Sequence, residues 1–409
     1  KIVYLQKVSD NMEKLFQYSS NMISEVDLAF KRYLWSNINW KNRLNVIVGA
    51  RGVGKTTLIL QYIKENLPLN NGEVIYVSLD DLYFAKNSLV DFTGEFVKRG
   101  GKYLFLDEVH KYKNWSQELK STYDYFPELK IVATGSSALN IYKGKADLSR
   151  RAILYKLNGL SFREFIAFKY GHTFPVLTLA EIVEEPAASI HSILQAVKPI
   201  RLFEEYIQWG YYPFFSEGVE EYHVRIGQIV NHVLDVDLPS VEGIGFNTVH
   251  HLRTLISVIS EITPFKPNIL KLSKQVEISR ETLVRYLYLL ERADLLLLLK
   301  SGVRGISKMN KPEKVYLNNP NLAYALTHHG INTGSIRETF FYNQLHESHQ
   351  VLYAPVGDFI VDDLYTFEVG GKNKKQKQIT GIEKAYIAAD NIEYNYQNRI
   401  PLWLFGFLY

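Results

Sequence analysis

Residues 44–56 read Leu44-Asn-Val-Ile-Val48-Gly49-Ala50-Arg51-Gly52-Val53-Gly54-Lys55-Thr56, and this stretch decides the fold. A short apolar run leads into G-x-x-x-x-G-K-[ST], matched at every fixed position. A helical pattern from Thr57 to Asn66 follows. Strand, glycine loop and helix in that order are what phosphate binding requires. Glycines let backbone N–H groups wrap an anion, and the helix N-terminus adds partial positive charge. A random chain of this length matches about once in a hundred, so composition does not explain the motif. The pattern makes Gly49, Arg51, Gly52, Val53, Gly54, Lys55, Thr56 and Thr57 the expected nucleotide-binding residues. Lys55 is expected on the β- and γ-phosphates and the Thr56 hydroxyl on Mg²⁺.

Working outward, further apolar runs at Val74–Leu79, Tyr103–Leu106, Lys130–Ala133 and Ile153–Leu157 alternate with helical patterns such as Trp115–Phe126. Strands this continuously apolar are expected to be buried on both faces, so the fold class is α/β: a three-layer parallel sheet. The third run ends in Asp107-Glu108. A phosphate-cleaving site needs one acid for the Mg²⁺ shell and often a second to activate water. Asp107 is expected in the first role and Glu108 in the second.

The P-loop, Asp107-Glu108-Val-His-Lys111 and Leu160-Ser-Phe-Arg-Glu164 together resemble prokaryotic AAA+ ATPases. The nearer resemblance is to the archaeal and signal-transducing group that carries an uncharacterised C-terminal region. It is specific over the first 160 residues and looser beyond. It implies ATP as ligand, with hydrolysis to ADP and phosphate. It also implies a polar sensor in Thr134-Gly-Ser-Ser137, for which Ser136 is chosen, with a helix N-cap as the alternative. Arg150 and Arg151 stand where a trans-acting arginine finger or γ-phosphate sensor would be, or are two solvated surface arginines.

The rest of the chain is read as two further regions. Residues 161–310 are helical, opened by a capping box at Ser161-Phe-Arg-Glu164. Asn268–Val276 and Arg280–Leu290 form a helix–turn–helix, with Ser279 as cap. The leucine run and Gly302 complete an expected winged helix. Lys271, Lys274, Arg280 and Arg285 give it a possible DNA face, although such a domain can also serve only to pack. Residues 311–409 are expected to be a small α+β domain. Glu338, Asp358 and Glu368 resemble the acids of a restriction-endonuclease-like core. That family places lysine two residues after the last acid, where this chain has Gly370. Lys372 is the expected substitute, and the domain is expected to be inactive.

Bulk composition bounds the partners. The chain has 409 residues, 46% hydrophobic and 22% charged, with net charge +4 and no cysteine. It is expected to be folded almost throughout, and a disulfide scaffold or thiolate metal site is excluded. A reducing, cytoplasmic setting is expected. Residues 1–16 lack the apolar core of a signal peptide, and no run approaches a membrane span. The favoured function is an ATP-driven conformational switch coupled to the C-terminal regions, acting as a homo-oligomer or on a partner protein. The alternative is a DNA-associated effector under ATP control.

Overall fold

Five short runs rich in β-branched and aromatic residues pair side by side because no other arrangement hides both of their faces. They are β1 (Leu44–Val48), β2 (Val74–Ser78), β3 (Tyr103–Asp107), β4 (Lys130–Gly135) and β5 (Ile153–Lys156). All pairings are parallel, in the order β2-β3-β4-β1-β5. The computed structural model describes residues 2–69, 71–135, 148, 150–239, 244–262, 264–302, 311–327, 330–375 and 378–409. They divide into two compact units, Lys1–Asn158 and Gly159–Tyr409.

In the first unit, helices α1 (Ile2–Glu25), α2 (Leu34–Asn37), α3 (Lys55–Asn66), α4 (Leu89–Lys98) and α5 (Trp115–Tyr125) flank the sheet. Val46, Val48, Ile75, Leu104, Leu106 and Ile131 fill one core with Phe92 and Phe96 of α4. One strand departs from its expected burial. β5 is an edge strand, and Ile153 is 49% exposed. An apolar run read alone does not distinguish a sheet's centre from its rim.

The second unit opens with α6 (Phe162–Tyr170), which carries the expected capping box between Ser161 and Glu164. Helices α7 (Leu179–Glu184), α8 (Pro186–Ala196), α9 (Pro199–Trp209) and α10 (Tyr222–His232) follow. Next come α11 (Phe246–Ile262), α12 (Ile269–Gln275) and α13 (Arg280–Arg292). Strand β6 (Leu296–Leu299) pairs antiparallel with β7 (Lys314–Leu317), so the pairing crosses residue 310. Phe265 bridges Val315 of β7. Then α14 (Pro320–Leu326) and α15 (Thr333–Leu345) lead to a mixed sheet. Its strands are β8 (Val351–Tyr353), β9 (Phe359–Val361), β10 (Tyr365–Gly371), β11 (Ala385–Asp390) and β12 (Arg399–Pro401). β8, β9 and β10 are antiparallel neighbours, whereas β10, β11 and β12 are parallel.

Aromatic rings join the beginning, middle and end of this unit. Phe203 meets Phe340 at 4.6 Å between ring centres, and Phe162 meets Phe407 at 5.9 Å. Buried Asn321 accepts from Tyr222 Oη at 2.6 Å and donates to Ile207 O at 2.8 Å. These bonds satisfy a polar side chain that burial would otherwise penalise. Among the described residues no helix is long and apolar enough to cross a membrane.

Candidate active site

Parallel strands deliver their C-terminal ends to one edge, and β4 lies between β1 and β3. The ends of all three therefore converge: the loop after β1, Asp107 at the end of β3, and Thr134 near the end of β4. Gly52 (φ 83°) and Gly54 (φ 94°) take left-handed conformations in that loop, which glycine adopts without steric cost. Gly49 is required for a different reason. A Cβ there would lie 2.1 Å from Leu157 O. Gly52 and Thr57 are exposed, Arg51 is half-buried and Val53 is buried.

Lys55 is 5% exposed, and its Nζ donates to Gly49 O at 3.0 Å and Ala50 O at 2.8 Å. Thr56 Oγ1 donates to Asp107 Oδ2 at 2.7 Å. Tyr76 Oη donates to that same oxygen at 2.8 Å, and Thr134 Oγ1 donates to Asp107 Oδ1. The Glu108 N–H donates to Oδ1 at 3.1 Å. Asp107, only 4% exposed, is thus a buried carboxylate whose burial is offset by charge-assisted bonds. Burial first, and the Asp107 charge second, push the Tyr76 hydroxyl well above its ordinary range.

Glu108 follows directly in a left-handed conformation, φ 52° and ψ 39°. That backbone is uncommon for a residue with a Cβ and recurs at functional sites. Its Oε2 lies 3.3 Å from Nε2 of the buried His110. Hydroxyl and carboxylate oxygens at Thr56 and Asp107 form the hard donor set that suits Mg²⁺. The open glycine loop with a lysine at the helix start suits a phosphate.

Three residues of this site escaped the sequence reading. Tyr76 interrupts an otherwise apolar strand with one hydroxyl, a weak signal. Thr134 belongs to the Thr134-Gly-Ser-Ser137 run, in which Ser136 is the expected sensor, and Ser136 lies outside the described residues. Arg32, buried before β1, donates to Val53 O and, at 2.7 Å, to Asn158 O. It ties the glycine loop to the segment after β5. Of the two arginines, Arg150 is exposed. Arg151 forms a two-pronged pair with Asp124, Nε to Oδ1 at 2.8 Å and Nη2 to Oδ2 at 2.9 Å.

The acids of the second unit are arranged differently from expectation. Lys314 Nζ stands between Glu338 Oε2 at 3.0 Å and Asp358 Oδ1 at 3.1 Å. Tyr316 Oη also donates to Glu338 Oε2, at 2.8 Å, and the Val369 N–H to Asp358 Oδ2, at 2.9 Å. Burial and then the Asp358 charge raise Glu338 above the ordinary carboxylate range. Glu368 is 1% exposed, and the lysine that meets it is Lys374, at 3.1 Å, not Lys372. Lys372 is exposed. The stem of Lys374 runs over Gly370, where a Cβ would come within 2.7 Å of Lys374 Cγ. Among the described residues no group of three His, Asp or Glu side chains is placed to hold a metal ion. An ammonium group stands where the expected three-acid Mg²⁺ seat would have been.

Comparison with known proteins agrees with the first unit's geometry. Residues 41–166 match the family model described as an AAA domain, and residues 200–333 match a domain of unknown function, DUF8612. The first unit thus has an α/β P-loop fold, and its residues from 41 onward are similar to AAA domains. An uncharacterized protein of Methanocaldococcus jannaschii is 26% identical over 371 residues, covering 83% of this chain and 78% of that protein. Among solved structures, a Walker-type ATPase of Pyrococcus abyssi is 14% identical with a TM-score of 0.40, covering 75% of this chain and 99% of its own. A DNA polymerase III gamma subunit-related protein of Thermotoga maritima is 11% identical with a TM-score of 0.26, covering 64% and 97%.

Proposed function

We propose that this chain binds ATP with Mg²⁺, hydrolyses it to ADP and phosphate, and uses the cycle as a conformational switch acting on residues 161–409. The observation that carries the reading is the 2.7 Å hydrogen bond from Thr56 to Asp107. It joins the glycine loop to the acid of β3 at one point, as a metal–phosphate site requires. Lys55, already turned onto its own loop carbonyls, is the cation for the β- and γ-phosphates. Mg²⁺ held by Thr56 and Asp107 would neutralise charge on the β- and γ-oxygens.

Glu108 acts as the base. Water attacks the γ-phosphorus and passes a proton to Glu108. The bond from that phosphorus to the bridging oxygen breaks, and ADP and phosphate leave. Thr134 and Tyr76 hold Asp107 in register for the metal shell. Ser136 keeps its proposed role as sensor. Arg150 is the better candidate for a finger reaching another subunit of a homo-oligomer, because Arg151 is engaged by Asp124. Absence of cysteine suits a cytoplasmic setting. The alternative, an effector on DNA, is favoured by one observation, the cluster of cations at Lys266, Arg280 and Lys311.

The test separates binding from chemistry. Lys55→Ala should weaken ATP binding at least tenfold. Glu108→Gln should bind Mg·ATP normally but turn over roughly a hundredfold more slowly. Asp107→Ala should raise the Mg²⁺ requirement itself. Unchanged ATP affinity in folded Lys55→Ala, or wild-type turnover by Glu108→Gln, overturns these assignments.

A further inference from the structure

Three cations from separate segments line one open hollow of about 420 Å³ in the second unit. Lys266 lies just past the Phe265 bridge, Arg280 is the first residue of α13, and Lys311 precedes β7. The other described lining residues are Pro267, Asn268, Ile269 and Leu270, so among the described residues no carboxylate lines the hollow. Lys266 is steadied by a neutral partner, Tyr353, whose Oη accepts from Nζ at 2.6 Å and whose ring centre lies 4.9 Å away. That fixes the ammonium without cancelling its charge. A neighbouring hollow shares Lys266 and Asn268 and adds Lys271, together with Glu261.

We propose that this hollow seats the phosphate backbone of duplex DNA, with α13 directed to the adjoining major groove. The inference deepens the DNA-associated alternative and does not depend on ATP chemistry. The element order supports it. Three helices are followed by a hairpin, with an extended residue after the first helix bridging that hairpin, and this order is that of a winged helix. In helix–turn–helix readers the second helix enters the major groove while its surroundings grip the backbone. α13 keeps Leu283, Tyr286, Leu287, Leu289 and Leu290 buried and leaves Arg280, Glu281, Arg285 and Arg292 at least partly exposed. Its 13 residues span roughly 20 Å. B-form DNA admits such a helix, whereas the deep, narrow major groove of A-form RNA does not.

The test uses the full chain without nucleotide and a fluorescent duplex of about 25 base pairs, read by anisotropy across a salt series. The variant is Lys266→Ala/Arg280→Ala/Lys311→Ala. Its control is Lys86→Ala/Lys98→Ala/Lys113→Ala, which removes equal charge from the first unit. Wild type should bind with a Kd on the order of micromolar at 50 mM salt. The triple variant should bind at least tenfold more weakly. Its slope of log K against log salt should flatten by about 2.7, or about 0.9 for each phosphate that the variant no longer neutralises. The control should match wild type. Wild-type affinity and slope in the folded triple variant overturn the proposal. So does preference for single-stranded RNA over the duplex, or no duplex binding by wild type at 50 mM salt. Because nucleotide is absent, these results are independent of whether the P-loop site hydrolyses ATP.

Discussion

Lys314→Met removes the ammonium shared by Glu338 and Asp358 and leaves a side chain of similar length. The two carboxylate oxygens each lie about 3 Å from Nζ, at 3.0 and 3.1 Å, so they are at most about 6 Å apart. Two negative charges at that distance repel by about 2.8 kcal/mol at an effective dielectric of 20. Breaking a buried pair from one side costs about 3–5 kcal/mol. Tyr316 still donates to Glu338, and the Val369 N–H still donates to Asp358, so the lower end applies. We expect a loss of about 3 kcal/mol at pH 7.5.

The pH dependence follows from Glu338, which burial and Asp358 already raise above its unfolded value. Without Lys314 it rises further. A carboxyl with a raised native pKa binds its proton more tightly folded than unfolded. Its stabilising contribution is complete below the unfolded pKa and is lost as pH rises through the native one. The gap between variant and wild type should therefore be small near pH 4.5 and full at pH 7.5. Urea titration followed by hydrogen exchange of the β9 and β10 amides measures it in the right unit. A deficit under about 1 kcal/mol at pH 7.5, or one that does not shrink in acid, refutes the argument. Adding Glu338→Gln to the variant should restore part of the loss.

Tyr76→Phe deletes one charge-assisted bond to Asp107, worth about 1.5 kcal/mol. The Mg²⁺ concentration for half-maximal hydrolysis should rise about tenfold, with ATP affinity at saturating Mg²⁺ unchanged. An unaltered Mg²⁺ titration would show that Thr134 and Thr56 suffice. Arg150→Ala should slow turnover only in an ATP-favoured oligomer, and Arg151→Ala should have the smaller effect because Arg151 is held by Asp124. Mass measurement with nucleotide alongside rates decides this, and normal rates in both variants with a monomeric protein exclude a finger.

The first unit was legible because its signals are local. A glycine loop must sit between strand and helix, and a strand ending in acids places them at the sheet's C-terminal edge. What the sequence withheld were partners brought together by strand order. Thr134 and Tyr76 reach Asp107 only because β4 and β2 flank β3. In the second unit the Ser161–Glu164 capping box and the Ser279 cap are readable for the same local reason. β11 and β12 were missed because Ala-Tyr-Ile-Ala-Ala-Asp and Arg-Ile-Pro carry little β signal by themselves. Lys314 could not be foreseen beside Glu338 and Asp358, since no spacing rule links a strand of the β6–β7 hairpin to α15. The Lys372 expectation failed over two residues, because a loop after Gly370-Gly371 is free to bring Lys374 back over the strand.

The second unit closes on itself across nearly its whole length. Ser161 Oγ and Arg163 Nε both donate to Tyr409 O, at 2.7 and 3.0 Å, and the Leu177 N–H donates to Phe407 O at 2.8 Å. The first of these links residues 248 positions apart. During synthesis, the first unit has every strand of its sheet once residue 156 has emerged. The second must keep Phe162 and Phe174 waiting for Phe407. Closure over so long a stretch is slow, and the waiting chain exposes apolar surface meanwhile. The nucleotide unit is thus ready on the ribosome well before the unit it is proposed to drive. A fragment cut at residue 310 would lose both the closing segment and the second strand of the β6–β7 hairpin.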